Sequence, residues 1–198
     1  MASAEASSST ALGFLTVVEH PQHGLFGGYL VLNTAGRPIE FHCTAPVKPN
    51  RAQEILYGPT LKPFLYGEQI GRALVSKSTT VALAICTDCE PVLELRDFVP
   101  TPVVLVLCGP GEAGPTAMPG TLDAERVPTD ATLGSPAFNG AALRTLDVGR
   151  NRLAVRGSRK SDADAVAEQL ATIADGFDLA EPFGRIREAI EEAQRAAR

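Results

Sequence analysis

The sequence predicts an α+β fold on a mainly antiparallel sheet, closed by a C-terminal β-hairpin and two helices. Three features carry this expectation. Strand-like runs occupy residues 13–43 and 80–108, helical periodicity fills the gap between them, and a last alternating pair precedes two helical stretches. Strands, helices, strands, hairpin and helices in that order point to an α+β protein.

The first strand is read over 13–18 and the second over 29–33, with a loop carrying His20, Pro21 and His23 between them. Gly36 turns the chain into a third strand over 37–43, where Ile39, Phe41 and Cys43 alternate with Glu40 and His42. Pro46 and Pro49 end the sheet segment, and Asn50 is a good cap for a helix over 51–57. A second helix is expected over 61–76, with Pro63 and Gly67 interrupting its pattern. Strands over 80–86, 92–96 and 102–108 read as a meander, the middle one alternating and so wet on one face. A hairpin over 141–156 turns at Gly149–Arg150–Asn151. Ser161 or Asp162 caps a helix to about residue 175, and a last helix runs over 181–198.

The segment between these halves is different in kind. Residues 109–136 are dense in glycine and proline and lack periodicity, which marks a linker or long surface loop. The expected organisation is therefore a disordered tail at 1–10, a core domain at 11–108, the linker, and a C-terminal module at 137–198. With 198 residues the chain is long enough for one full core. The tail has neither a basic start nor an apolar stretch, so no secretory signal is read there. No apolar run approaches the length needed to cross a bilayer. A soluble, cytoplasmic protein with no membrane partner is expected, with its thiols kept reduced.

Chemistry is sparse. Cys86-Thr87-Asp88-Cys89 follows an apolar run, and two cysteines at that spacing can bind a metal or close a redox disulfide. Cys43 and Cys108 also end predicted strands, so the four sulfurs Cys43, Cys86, Cys89 and Cys108 could meet as a structural zinc site at one sheet edge. The competing reading makes Cys43 and Cys108 small buried hydrophobes. A redox role is disfavoured, because Asp88 and Glu90 would raise the thiol pKa values. His20 and His23 read as solvated turn residues. No phosphate loop, serine elbow or zinc-protease helix is present.

A net charge of -5 argues against a protein that coats nucleic acid with its whole surface. Locally the sign reverses: Arg150, Arg152, Arg156, Arg159 and Lys160 crowd the hairpin and the start of the next helix. They could bind an anion, a nucleic-acid backbone or an acidic protein, or merely solvate an outer strand. The expected function is a non-enzymatic accessory or scaffold protein that binds another macromolecule, a protein partner before a nucleic acid. The alternative is a thiol- or metal-dependent enzyme using Cys43 or the Cys86/Cys89 pair.

Overall fold

The computed structural model describes residues 10–107, 137–138, 141–171, 173 and 176–196. Cys108, the expected linker at 109–136 and most of the expected tail lie outside the described residues.

Eight strands are present among the described residues: β1 (Ala11–His20), β2 (Gly24–Asn33), β3 (Pro38–Cys43), β4 (Ile85–Thr87), β5 (Val103–Leu107), β6 (Ala137–Phe138), β7 (Ala141–Val148) and β8 (Asn151–Arg156). They lie side by side in the order β3-β2-β1-β4-β5-β8-β7-β6. The fold is α+β as expected, but the sheet is mixed rather than mainly antiparallel. β4 runs parallel to both β1 and β5, while the outer pairs are antiparallel. The expected meander is absent. Only residues 85–87 of its first strand pair, and the middle segment is a 3₁₀ helix, Glu90–Asp97, that carries the chain from β4 over one face of the sheet to β5. Its Val92, Leu93 and Leu95 are all buried, so no wet strand face exists there. Pro91 opens it, where a missing N–H costs nothing.

Alternate residues of the central strands bury on opposite faces, which requires a layer of structure on each side. Leu12, Phe14, Cys86, Val104, Leu153 and Val155 face two helices, α4 (Lys160–Ala171) and α5 (Glu181–Ala196). Leu15, Val31, Ile85, Val103 and Ala154 face the opposite way, toward the 3₁₀ helix and the helical residues 61–75. The last hairpin thus extends the same sheet through β8 on β5.

The expected helix at 51–57 is α1 (Arg51–Tyr57). The second expected helix is composite: a short 3₁₀ turn Gly58–Thr60, α2 (Leu61–Pro63), a π-helical stretch Phe64–Gly71, and α3 (Arg72–Val75). Gly67 explains why this layer fits. A Cβ there would stand 2.7 Å from the Glu94 Cβ and 2.8 Å from the Leu95 amide nitrogen. The two helical segments touch backbone to side chain because residue 67 has none.

Buried or half-buried polar pairs pin the layers. Arg96 of the 3₁₀ helix donates to both Asp162 carboxylate oxygens at 2.7 and 3.1 Å, and to the Val99 carbonyl at 2.8 Å. Asp162 therefore turns inward from the first turn of α4 rather than standing as a free cap. Asn151, at the hairpin turn, donates to the Phe177 carbonyl and accepts from the Leu179 amide, fixing the connection between α4 and α5. At the β3 edge, Glu40 accepts from His42, Ser78, the Thr79 amide and the hydroxyls of Thr79 and Thr80. These bonds, the Thr80 hydroxyl first, hold its carboxyl far below the usual carboxylate range.

Two stability outcomes arise from this packing. Gly67→Ala should destabilise the fold by about 1–3 kcal/mol through overpacking, whereas Gly184→Ala, whose Cβ meets nothing within 4 Å, should stabilise by up to about 1 kcal/mol. Urea titration of both variants checks the pair, and equal effects would refute the close approach at Gly67. A depressed carboxyl stabilises the fold above its unfolded pKa, and that stabilisation fades as pH falls toward the folded value. Glu40→Gln should therefore lower the urea midpoint at pH 7, and its gap from the parent should narrow below about pH 4.

Candidate functional site

The segment from Val47 to Tyr66 carries the most unusual surface among the described residues. Val47 bridges to Leu25 at the outer edge of β2, with both backbone bonds at 2.8 Å. Asn50 then caps α1: its side chain accepts from the Gln53 amide at 2.8 Å, and the Gln53 side chain accepts from the Asn50 amide at 3.0 Å. This reciprocal box satisfies two N–H groups that an isolated helix leaves unpaired. Gly58 closes the helix with φ 49°, and the Thr60 hydroxyl donates to the Tyr57 carbonyl at 2.8 Å. Tyr57 stacks on Phe64, ring centroids 4.2 Å apart.

No residue of α1 is buried. Ala52, Ile55 and Leu56 all face solvent, at the i, i+3, i+4 spacing of an amphipathic helix's apolar stripe. Leu56 is 82% exposed and Ile55 66%. The base of this protrusion is polar. Glu19, from the end of β1, accepts from the Tyr66 hydroxyl and pairs with Lys62 at 3.2 Å. The Tyr66 bond lowers the Glu19 carboxyl pKa against the opposing effect of burial, while burial and Glu19 together raise that of the Tyr66 hydroxyl.

The cysteines occupy three different settings. Cys86 is wholly buried on the face covered by α4 and α5. Cys89 lies against the opposite core, its sulfur 3.3 Å from Asp88 Oδ1, 3.6 Å from the Val17 carbonyl and 3.7 Å from Thr16 Oγ1. Asp88 is itself held by Arg187 of α5. Burial pushes both thiols up to about 12, with Asp88 adding to the rise at Cys89. Cys43 is exposed on β3, which is separated from β4 by β2 and β1. Three strand spacings amount to roughly 14 Å. The structure therefore does not gather Cys43, Cys86 and Cys89, and Cys108 lies outside the described residues. Among the described residues, no three histidine, cysteine or carboxylate side chains are placed to hold one metal ion.

The basic hairpin is partly neutralised. Arg156 stands 2.6 Å from Asp97 and 3.5 Å from Glu94, and Arg159 stands 2.8 Å from Asp97. Burial alone would raise the Asp97 carboxyl, but the two guanidiniums outweigh it and hold its pKa below the usual range. Arg150 and Arg152 face solvent, and Arg152 lies across the ladder from Asp147. Lys160 opens α4. Ala154, between Arg152 and Arg156, is fully buried, so the cationic face is interrupted rather than continuous.

The sequence pattern locates α1 without revealing its exposure. Ala52, Ile55 and Leu56 define an apolar face, but spacing does not say whether that face meets the core. Compared with known proteins, the chain matches no family model and no curated protein.

The thiol settings give a direct outcome. In native protein at pH 8, an alkylating reagent should modify Cys43 rapidly and leave Cys86 and Cys89 unmodified, because a pKa of about 12 leaves roughly one thiolate in ten thousand. Mass mapping checks this, and fast native labelling of Cys89 would contradict its burial.

Proposed function

We propose that the protein is an accessory or scaffold protein that docks a protein partner through α1. One observation carries this reading: a fully capped helix buries none of its residues and turns an apolar stripe outward. A seven-residue helix has little stability of its own, and most helices of this size are held by burying such a stripe. Leaving Ile55 and Leu56 in water forgoes about 1.5–3 kcal/mol of transfer free energy for each. A partner groove that covers them would recover it, in the manner of an amphipathic helix laid into an apolar cleft. The high thiol pKa values of Cys86 and Cys89 favour this reading over thiol chemistry at the pair. The pairing of Arg156 and Arg159 with Asp97 favours it over a polyanion site on the hairpin.

A photo-crosslinking residue placed at Ala52 in cells of the source organism should yield a discrete protein adduct. Ile55→Ser with Leu56→Ser should reduce that adduct at least tenfold while shifting folding stability by no more than about 0.5 kcal/mol, since neither side chain is buried. Undiminished adduct in the double variant, or adducts only from a probe at Arg152, would reject α1 as the docking element.

A further inference from the structure

We infer that the β1–β2 turn is a protonation-sensitive latch that sets how firmly the approach to α1 is held. The turn spans Pro21, Gln22 and His23, between the paired residues His20 and Gly24. The β1–β2 ladder closes its base at His20 and Gly24, and inside it two amides share one acceptor atom. Nδ1 of His20 accepts both the Gln22 amide and the His23 amide, each at 3.2 Å. An imidazole nitrogen can accept only while it carries no proton, so the ring's proton sits on Nε2. Once Nδ1 is protonated, two acceptor contacts become two donor–donor oppositions.

The surroundings add to this. The His23 ring lies 4.5 Å from the His20 ring, centroid to centroid. Lys48 donates from its ammonium to the Gln22 carbonyl at 2.5 Å. From β2 the neighbour is the uncharged Phe26 ring, edge-on at 6.4 Å. The nearest carboxylate along the chain, Glu19, is already taken by Tyr66 and Lys62. A second positive charge thus enters a site whose neighbours are a titratable ring and an ammonium. Histidine is the side chain whose charge ordinarily changes between about pH 5 and 8.

The turn is mechanically joined to the chain beyond β3. Gly24 has φ 93°, and a Cβ there would stand 2.5 Å from the Val47 carbonyl oxygen and 2.6 Å from the Lys48 side chain. Leu25 and Val47 exchange backbone bonds, and Lys48 reaches back to Gln22. Residues 47–48 are therefore clamped to the turn two residues before the Asn50 cap of α1. Rearranging the turn displaces the Gln22 carbonyl and so loosens the Lys48 tie in the lead into that helix, while the Leu25–Val47 backbone pair holds. Any effect on partner docking rests on the α1 reading, but the latch itself does not.

Amide hydrogen exchange on the full chain tests it without a partner. Protection of the Gln22 and His23 amides, corrected for intrinsic rate, should fall about tenfold from pH 7.5 to pH 5.0. His20→Asn offers an acceptor that does not titrate, and should keep protection equal at the two pH values. In the parent, the chemical shifts of those two amides should follow the titration of the His20 ring. Equal protection at both pH values in the parent, the same loss in His20→Asn, or amide shifts that follow the His23 ring instead would each overturn the latch. Loss of the α1 crosslink alone would leave it standing.

Discussion

The central strands have no polar face. In β1, Leu12 and Phe14 are buried on one side and Leu15 and Val17 on the other, and β4 and β5 repeat the pattern with Ile85 against Cys86 and Val103 against Val104. A sheet of this kind cannot stand with one side in water. The 3₁₀ and π-helical segments on one face, and α4 and α5 on the other, are the response. The same constraint explains the parallel pairing. A chain that leaves β1 by way of two outer strands and a helical layer returns to the sheet in the direction in which it began.

Much of this could be read from residue order, and the failures have physical causes. α1 was legible because Asn50, a good cap, follows the prolines that end the sheet segment. β5 was legible as an unbroken apolar run, and α5 through Phe183, Ile186 and Ile190. The Glu90–Asp97 segment misled because Leu93 and Leu95 imitate strand alternation, while burial of the intervening layer is satisfied by a three-residue period as well. Pro91 was the available warning. The parallel pairing left no local mark, since a three-residue strand such as Ile85–Thr87 carries too little pattern to state its direction.

The sulfur arithmetic was misleading for a related reason. Cys86 is the second residue of β4 and Cys89 lies beyond its end, so the strand's alternation and the turn after it send the two into different cores. Sequence spacing that suits a metal knuckle suits this arrangement equally. The exposed stripe of α1 was hidden in the opposite sense. Its pattern matches that of a core helix, and what distinguishes it is its exposure among the described residues.

The covering of β1 and β2 has a consequence in time. Phe14 packs its ring edge against Phe183, 5.8 Å away, and Ile186 and Ile190 complete the cover over Leu12, Phe26 and Leu30. β1 and β2 thus leave the ribosome well before α5, the helix that shelters them. Until then a broad apolar surface of the nascent sheet has no native cover, and the contacts that close it join residues far apart along the chain. Contacts of such long sequence separation are the kind that slow folding, and uncovered apolar sheet of this kind is what makes partly folded chains prone to aggregate.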